Sequence, residues 1–206
     1  MVTFDSRAPG TPAGTWSSDA RLAGLESVTL DGVSRLVVVA AHPDDETLGA
    51  GGLIARAAAS GVRVHVVVVT DGGASHSDVP SAELAATRAA ELRIAIGALG
   101  PSATISILDF ADGGTREWTE QIRARLEPLL ADADLIVAPW RGDGHRDHRV
   151  VGELCADIAD EQGTPLLEYP VWMWHWATPD SAEVPWDRLR SIALSPDERA
   201  AKARAI

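Results

Sequence analysis

Two short stretches of this 206-residue chain concentrate side chains that do chemistry. The first is Ala41-His42-Pro43-Asp44-Asp45-Glu46, one imidazole and three carboxylates with a proline that stiffens the turn. The second is Gly142-Asp143-Gly144-His145-Arg146-Asp147-His148, in which two histidines and two aspartates fall within six residues. The plain reading of the first stretch is a polar loop that caps a helix, but a cap needs one such residue and not four. The plain reading of the second is a pair of ordinary polar histidines. Their i, i+3 spacing at a helix start lets both face the same way, and with Asp147 they have the composition of a metal or acid–base site.

These stretches need elements that hold them. Leu36–Ala41 is a short continuous apolar run, the pattern of a strand buried on both faces. Val62–Thr70, Thr104–Leu108 and Leu135–Ala138 repeat it, and Leu166–Trp174 reads as a fifth strand, placed at an edge by Pro170. Helical patterns fall between them. Leu48–Ser60 ends at Gly61, and Ser81 can cap a helix through Leu99. Thr115 can cap another to about Ala131, and Asp147–Gln162 is closed by Gly163. Strand and helix alternate, which predicts an α/β, Rossmann-like three-layer sandwich with a mostly parallel sheet in the order 3-2-1-4-5.

That order brings the two stretches together. Strands one and four are neighbours whose crossovers leave on opposite faces, and ligands of open α/β sheets bind at such a switch point. The crevice would hold a His-Asp-His ligand set with carboxylates and an imidazole to spare. Three N/O ligands and an open position suit catalytic zinc; without a cysteine ligand, Fe2+, Mn2+ or Co2+ also fit.

On these residues the chain resembles the PIG-L/LmbE-like de-N-acetylases, zinc amidohydrolases that remove acetyl groups from N-acetylglucosaminyl substrates. The resemblance runs from about Val33 to Trp176 and includes Thr70-Asp71-Gly72 and Arg88-Ala-Ala-Glu91. It implies His42, Asp45 and His148 as metal ligands and Asp44 as the general base that takes a proton from the attacking water. It implies His145 as the residue that steadies the oxyanion or protonates the leaving amine, with Asp147 as its orienting partner. An imidazolium at position 145 would share the oxyanion charge. Arg88 matches a substrate-contacting arginine; the alternative is an ion pair with Glu91. Some members carry a tyrosine where this chain has Asp143, and a proline where it has Arg146.

The substrate contacts expected are Arg88, Asp71, Asp143 and Trp140. The loops Thr70–His76 and Asp109–Gly114 should line the rim. Seven of the ten aromatic residues are Trp, and Trp172, Trp174 and Trp176 would alternate along the last strand. Such rings either stack on a sugar or cover a core.

Composition sets outer limits. The net charge of −12 argues against nucleic acid or an anionic membrane as partner. Its densest part, residues 131–187, carries 12 acidic and 3 basic groups, some of which a divalent cation would offset. The single Cys155 allows no intrachain disulfide, and the N-terminus has no apolar core of signal-peptide length. A cytoplasmic enzyme acting on a small N-acetyl sugar or glycosylated metabolite is expected, with a homo-oligomer left open. Residues 1–34 read as an arm packed on a single domain, 35–206. Ser195-Pro196-Asp197-Glu198 starts a helix strongly so close to the end that a missing C-terminal segment is expected. Two other classes compete. One is a regulatory homologue that binds metal without turnover. The other is a nucleotide-binding module suggested by Gly49-Ala-Gly51-Gly52, where the last fingerprint glycine is missing.

Overall fold

The apolar runs become five strands in the computed structural model, which describes residue 2 and residues 4–74 and 81–206. They are β1 (Arg35–Ala40), β2 (Arg63–Thr70), β3 (Thr104–Phe110), β4 (Leu135–Pro139) and β5 (Leu166–Tyr169). All pair in parallel, in the order β3-β2-β1-β4-β5. The crossovers are α3 (Asp45–Ala59), α4 (Ser81–Leu99), α5 (Thr119–Leu130, entered through a 3-10 turn at Thr115–Trp118) and α6 (Arg146–Gln162). Two short N-terminal helices, α1 (Ala13–Ser17) and α2 (Ala20–Ala23), precede the sheet, and α7 (Met173–Trp176) and α8 (Pro196–Ala205) follow it.

The period of two along β1 explains the three layers. Leu36, Val38 and Ala40 join a core with Ile54 of α3 and Ile96 of α4. Val37, Val39 and Ala41 join the opposite core with Ile122 and Leu126 of α5 and Ile158 of α6. Buried Cys155 belongs to that second core, as a packing residue. Gly61 and Gly163 take φ values of +77° and +67°, as helix-ending glycines do. Ser195 and Glu198 form a reciprocal capping box at the start of α8, which packs against α3 and α4.

One element differs from expectation. The last strand stops at Tyr169, and Met173–Trp176 is a helical turn. Pro170 lacks a ladder donor, and the N–H groups of Val171, Trp172 and Met173 all turn to the Asp143 carboxylate instead. The three tryptophans therefore do not share a strand face.

The N-terminal residues lie along the segment that follows β5. Trp16 is buried and its Nε1–H donates to the Trp174 carbonyl at 2.9 Å. Val28 N–H donates to Ser191 O at 2.8 Å. Among the described residues no helix is long and apolar enough to cross a membrane. The side chain of Ser81 and the loop residues Ser75 and His76 lie outside the described residues.

Candidate metal and catalytic centre

β1 and β4 are paired, so the loops at their carboxyl ends meet. His42 follows β1, and His145 and His148 stand at the start of α6. The ring centroids of His42 and His145 are 4.9 Å apart, those of His145 and His148 4.7 Å, and those of His42 and His148 5.4 Å. Donor atoms from the three rings fall within 4.8 Å of one another.

Asp45 joins them from the first turn of α3. Its Oδ2 accepts from the His42 backbone N–H at 2.9 Å, and lies 3.3 Å from His42 Nδ1 and 3.2 Å from His148 Nε2. Donors around a tetrahedral ion with bonds of about 2.0–2.1 Å are about 3.3 Å apart, so this spacing suits one. His148 Nε2 is buried and makes no hydrogen bond, although Asp45 is near, because the direction is wrong for one. A lone pair aimed into a pocket of carboxylates is what a metal ligand presents. Asp45 is well spaced from each histidine, and the groups whose donor atoms all fall within 4.8 Å of one another are His42-His145-His148 and His42-Asp112-Asp147, so this cluster offers the donors a divalent ion needs.

The far side of each histidine is held. His148 Nδ1 donates to Asp143 Oδ2 at 2.7 Å, which makes Nε2 the lone-pair nitrogen whenever the ring is neutral. Asp143 is fully buried and its two oxygens also accept the N–H groups of residues 171–173. It has no surface to offer a substrate. The expectation of a substrate contact at Asp143 gives way to a role behind the His148 ring. His42 Nε2 lies 3.1 Å from both Asp112 Oδ1 and Asp147 Oδ2.

These carboxylates dominate the titration of the ion-free centre. Burial works against charge on His42, but Asp112, Asp147 and Asp45 raise its pKa well above the ordinary value. Burial also opposes charge on His148, and Asp45 and Asp143 lift it to about 9. Asp45 is held below the usual carboxylate range by both imidazoles despite its burial. A cation would replace protons here.

His145 behaves differently. Burial and the neighbouring His148 and His42 push its pKa down to about 4, so it is neutral at neutral pH. In the ion-free centre these neighbours disfavour the imidazolium expected at position 145. Its Nδ1 accepts from the Asp147 N–H at 3.3 Å as the cap of α6, which places the proton of the neutral ring on Nε2. The expected partnership with the Asp147 carboxylate is also not formed. That carboxylate accepts from Thr115 Oγ1 at 2.7 Å and Gly113 N–H at 2.9 Å and faces His42.

Asp44 stands at the mouth, its side chain 54% exposed. Its backbone φ of 118° is rare for a residue with a side chain and stores about 1–3 kcal/mol of strain. Two contacts hold it there. Its N–H donates to buried Glu46 Oε2 at 3.1 Å, and its Oδ2 accepts from Arg88 Nη2 at 2.6 Å. Arg88 also donates to the carbonyls of Pro43 and Gly72. It thus turns to Asp44 rather than to Glu91. Partial burial and the Asp45 charge raise the Asp44 pKa, against the opposing pull of Arg88 and His42.

The remaining expected contacts are placed elsewhere. Asp71 Oδ1 accepts from the N–H groups of Gly73 and Asp112, which ties the loop after β2 to the loop after β3. Trp140 lines a separate cavity of about 760 Å³ with Tyr169, Met173 and Trp174, and none of the catalytic or ligand candidates lines it. The glycines that resemble a nucleotide fingerprint serve packing: a Cβ on Gly49 would lie 2.0 Å from Tyr169 Cδ2, and one on Gly52 2.8 Å from Leu194 Cδ1. Sequence reasoning had Asp112 only as part of the rim loop after β3 and Thr115 only as a helix cap; neither was chosen as a site residue.

A family model described as "PIG-L: GlcNAc-PI de-N-acetylase" matches residues 37–159, more than half of the chain. A diacetylchitobiose deacetylase of Thermococcus kodakarensis is 32% identical over 139 residues, covering 65% of this chain and 52% of its own length. A 1D-myo-inositol 2-acetamido-2-deoxy-alpha-D-glucopyranoside deacetylase of Actinosynnema mirum is 33% identical over 150 residues, covering 59% of this chain and 53% of its own. The chain thus spans about half the length of these curated relatives. Among solved structures, the N,N'-diacetylchitobiose deacetylase of Pyrococcus horikoshii aligns with a TM-score of 0.58 at 21% identity, over 85% of this chain and 71% of that one. At that identity the likeness is one of fold.

Proposed function

The chain belongs to the PIG-L family, and from that premise we propose that it is a metal-dependent deacetylase of a small N-acetylated amino sugar or glycosylated metabolite. The observation that carries the reading is the unpartnered, buried Nε2 of His148 beside Asp45 and His42. These three residues would hold the ion. Zinc suits three N/O ligands, and Fe2+, Mn2+ and Co2+ are the competitors. When bound, such an ion polarises the amide carbonyl and brings the pKa of water to about 7.

The chain's own groups do the rest. Asp44, at the mouth with a raised pKa, takes the proton of the attacking water. Arg88 fixes the direction of its carboxylate and keeps it ionised between turnovers. As the acyl oxygen gains charge, the Nε2–H of neutral His145 donates to it. A neutral imidazole is a poor acid for the leaving nitrogen. Asp44, protonated by the first step, returns that proton as the C–N bond breaks, giving acetate and a free amine. The buried carboxylates Asp143 and Asp147, with the partly buried Asp112, hold the ligand rings in place. The single cysteine suits a reducing compartment, and the cytoplasm is the one we assign to this work.

The test is a metal assay joined to an amine-release assay. The purified protein should contain about one divalent ion per chain and release primary amine from N-acetylglucosaminyl compounds. A chelator should stop turnover, and added Zn2+ or Fe2+ should restore it. A protein that binds the ion but releases amine from none of a broad N-acetyl panel would be a non-catalytic homologue.

A further inference from the structure

The cavity that Trp140 lines lies apart from the metal centre, and its surface combines two kinds of group. Most of it is apolar, with Leu53 of α3, Val137 of β4, Leu167 of β5 and Met173 among the residues. Its volume of about 760 Å³ falls in the range of small-molecule sites, about 300–1,000 Å³. The charged residues that line it are two acids, Glu168 and Asp187, and three bases, Arg188, Arg190 and Lys202. On a chain of net charge −12 that balance is reversed.

These charges are not equally engaged. Glu168 faces Arg141 Nε at 2.8 Å and Arg188 Nη2 at 3.3 Å, so its charge is offset twice. Arg190 Nε lies 3.4 Å from Glu26. Lys202, the single lysine of the chain, forms no ion pair among the described residues. Its stem runs along α3, where a Cβ on Gly51 would lie 3.7 Å from Lys202 Cγ. Its Nζ donates to the Leu48 carbonyl at 3.0 Å, which uses one of three N–H groups. Burial lowers its pKa, and no neighbouring carboxylate opposes that. Leu48 lines the same cavity and is 45% exposed. An exposed leucine and a partly buried ammonium without a counter-charge therefore meet at one place on the cavity wall.

We propose that this cavity is a second small-molecule site, separate from the metal centre, and that it takes an amphipathic carboxylate. The apolar chain enters among Leu53, Val137 and Met173, and the carboxylate oxygens accept from Lys202 Nζ. Such a hydrogen bond between opposite charges is stronger than a neutral one, and the apolar walls gain by losing water. A neutral ligand of the same shape would leave the ammonium covered and unpaired, which is costly. The site stands whether or not the chain is a deacetylase, because none of the catalytic or ligand candidates lines it.

The probe is decanoate below its micelle concentration, added to the metal-loaded protein, with decanol and acetate as controls. Trp140 and Trp174 line the cavity, so their fluorescence reports filling, and calorimetry gives Kd and stoichiometry. One decanoate should bind per chain, with decanol and acetate each at least about 10-fold weaker. Lys202→Met keeps the stem and removes the charge, so it should weaken decanoate about 10-fold and leave decanol unchanged. Lys202→Arg should retain decanoate. Excess acetate, which can reach the ion but cannot fill the cavity, should not displace it. Displacement by acetate would put the carboxylate on the ion and overturn the proposal. Equal affinities for decanoate and decanol, an unchanged Kd in Lys202→Met, or no saturable binding would overturn it as well.

Discussion

The Asp143 carboxylate meets the His148 imidazole at 2.7 Å, with both side chains shut off from solvent. The same carboxylate gathers three backbone N–H groups from residues 171–173. It therefore orients the proposed ligand His148 and takes up the N–H groups that follow β5 with one group. Asp143→Asn puts an NH2 where one oxygen accepted, and removes the charge behind His148. Ion affinity should fall about 10- to 100-fold, the usual cost of losing such a partner. Competition against a chromophoric chelator measures it, and unchanged affinity would refute the role.

Asp44 and His148 should separate cleanly. Asp44→Asn keeps the ligand set and loses the base, so ion content should stay near that of the wild type while kcat drops about 10²- to 10⁴-fold. His148→Ala removes a ligand, so both ion and turnover should go. Elemental analysis beside the amine assay distinguishes the two. Full activity in Asp44→Asn would remove it from the mechanism.

Gly49 lies where α3 presses on β5. A methyl group there would sit 2.0 Å from Cδ2 of Tyr169, a buried ring whose hydroxyl donates to the Val39 carbonyl at 2.9 Å. The ring cannot swing away without giving up that bond. Gly49→Ala should cost about 1–3 kcal/mol, the usual range for overpacking a core, despite the better helix propensity of alanine. Urea denaturation of the ion-free protein should show a lower midpoint with an unchanged slope.

His65 gives the fold a pH dependence away from the centre. Its partial burial on β2, and then the charge of Arg35, lower its pKa below 6.5, while Nε2 bonds Ser106 Oγ at 2.9 Å. Below 6.5 the unfolded chain binds a proton that the folded chain refuses. Its contribution is complete above pH 6.5 and is lost as pH falls through the folded-state pKa. His65→Gln should flatten the stability profile below pH 6.5 relative to the wild type. Parallel profiles would show that His65 titrates alike in both states.

Much of this was written locally. The runs at Leu36–Ala41 and Leu135–Ala138 specify strands because residues buried on both faces must all be apolar. The alternation with helices then fixes a parallel sheet and its switch point. His42, Asp45, His145 and His148 could be chosen because strand ends are where such a sheet exposes polar side chains. Their types carry the chemistry whatever surrounds them.

The partners of those residues depended on segments that meet only in three dimensions. Asp147 follows His145 by two positions in the chain, yet its carboxylate faces His42, 105 residues away, because the start of α6 aims it across the β1–β4 seam. Asp143 read as a substrate contact and became a buried anchor because the chain after β5 folds back onto it. Trp172 looked like part of a strand and came to lie beside His145 for the same reason. Sequence set the kinds of atoms at the site, because side-chain type and strand position are local properties. Tertiary structure decided which groups meet and which support them, because burial and hydrogen-bond direction are settled only when distant segments pack.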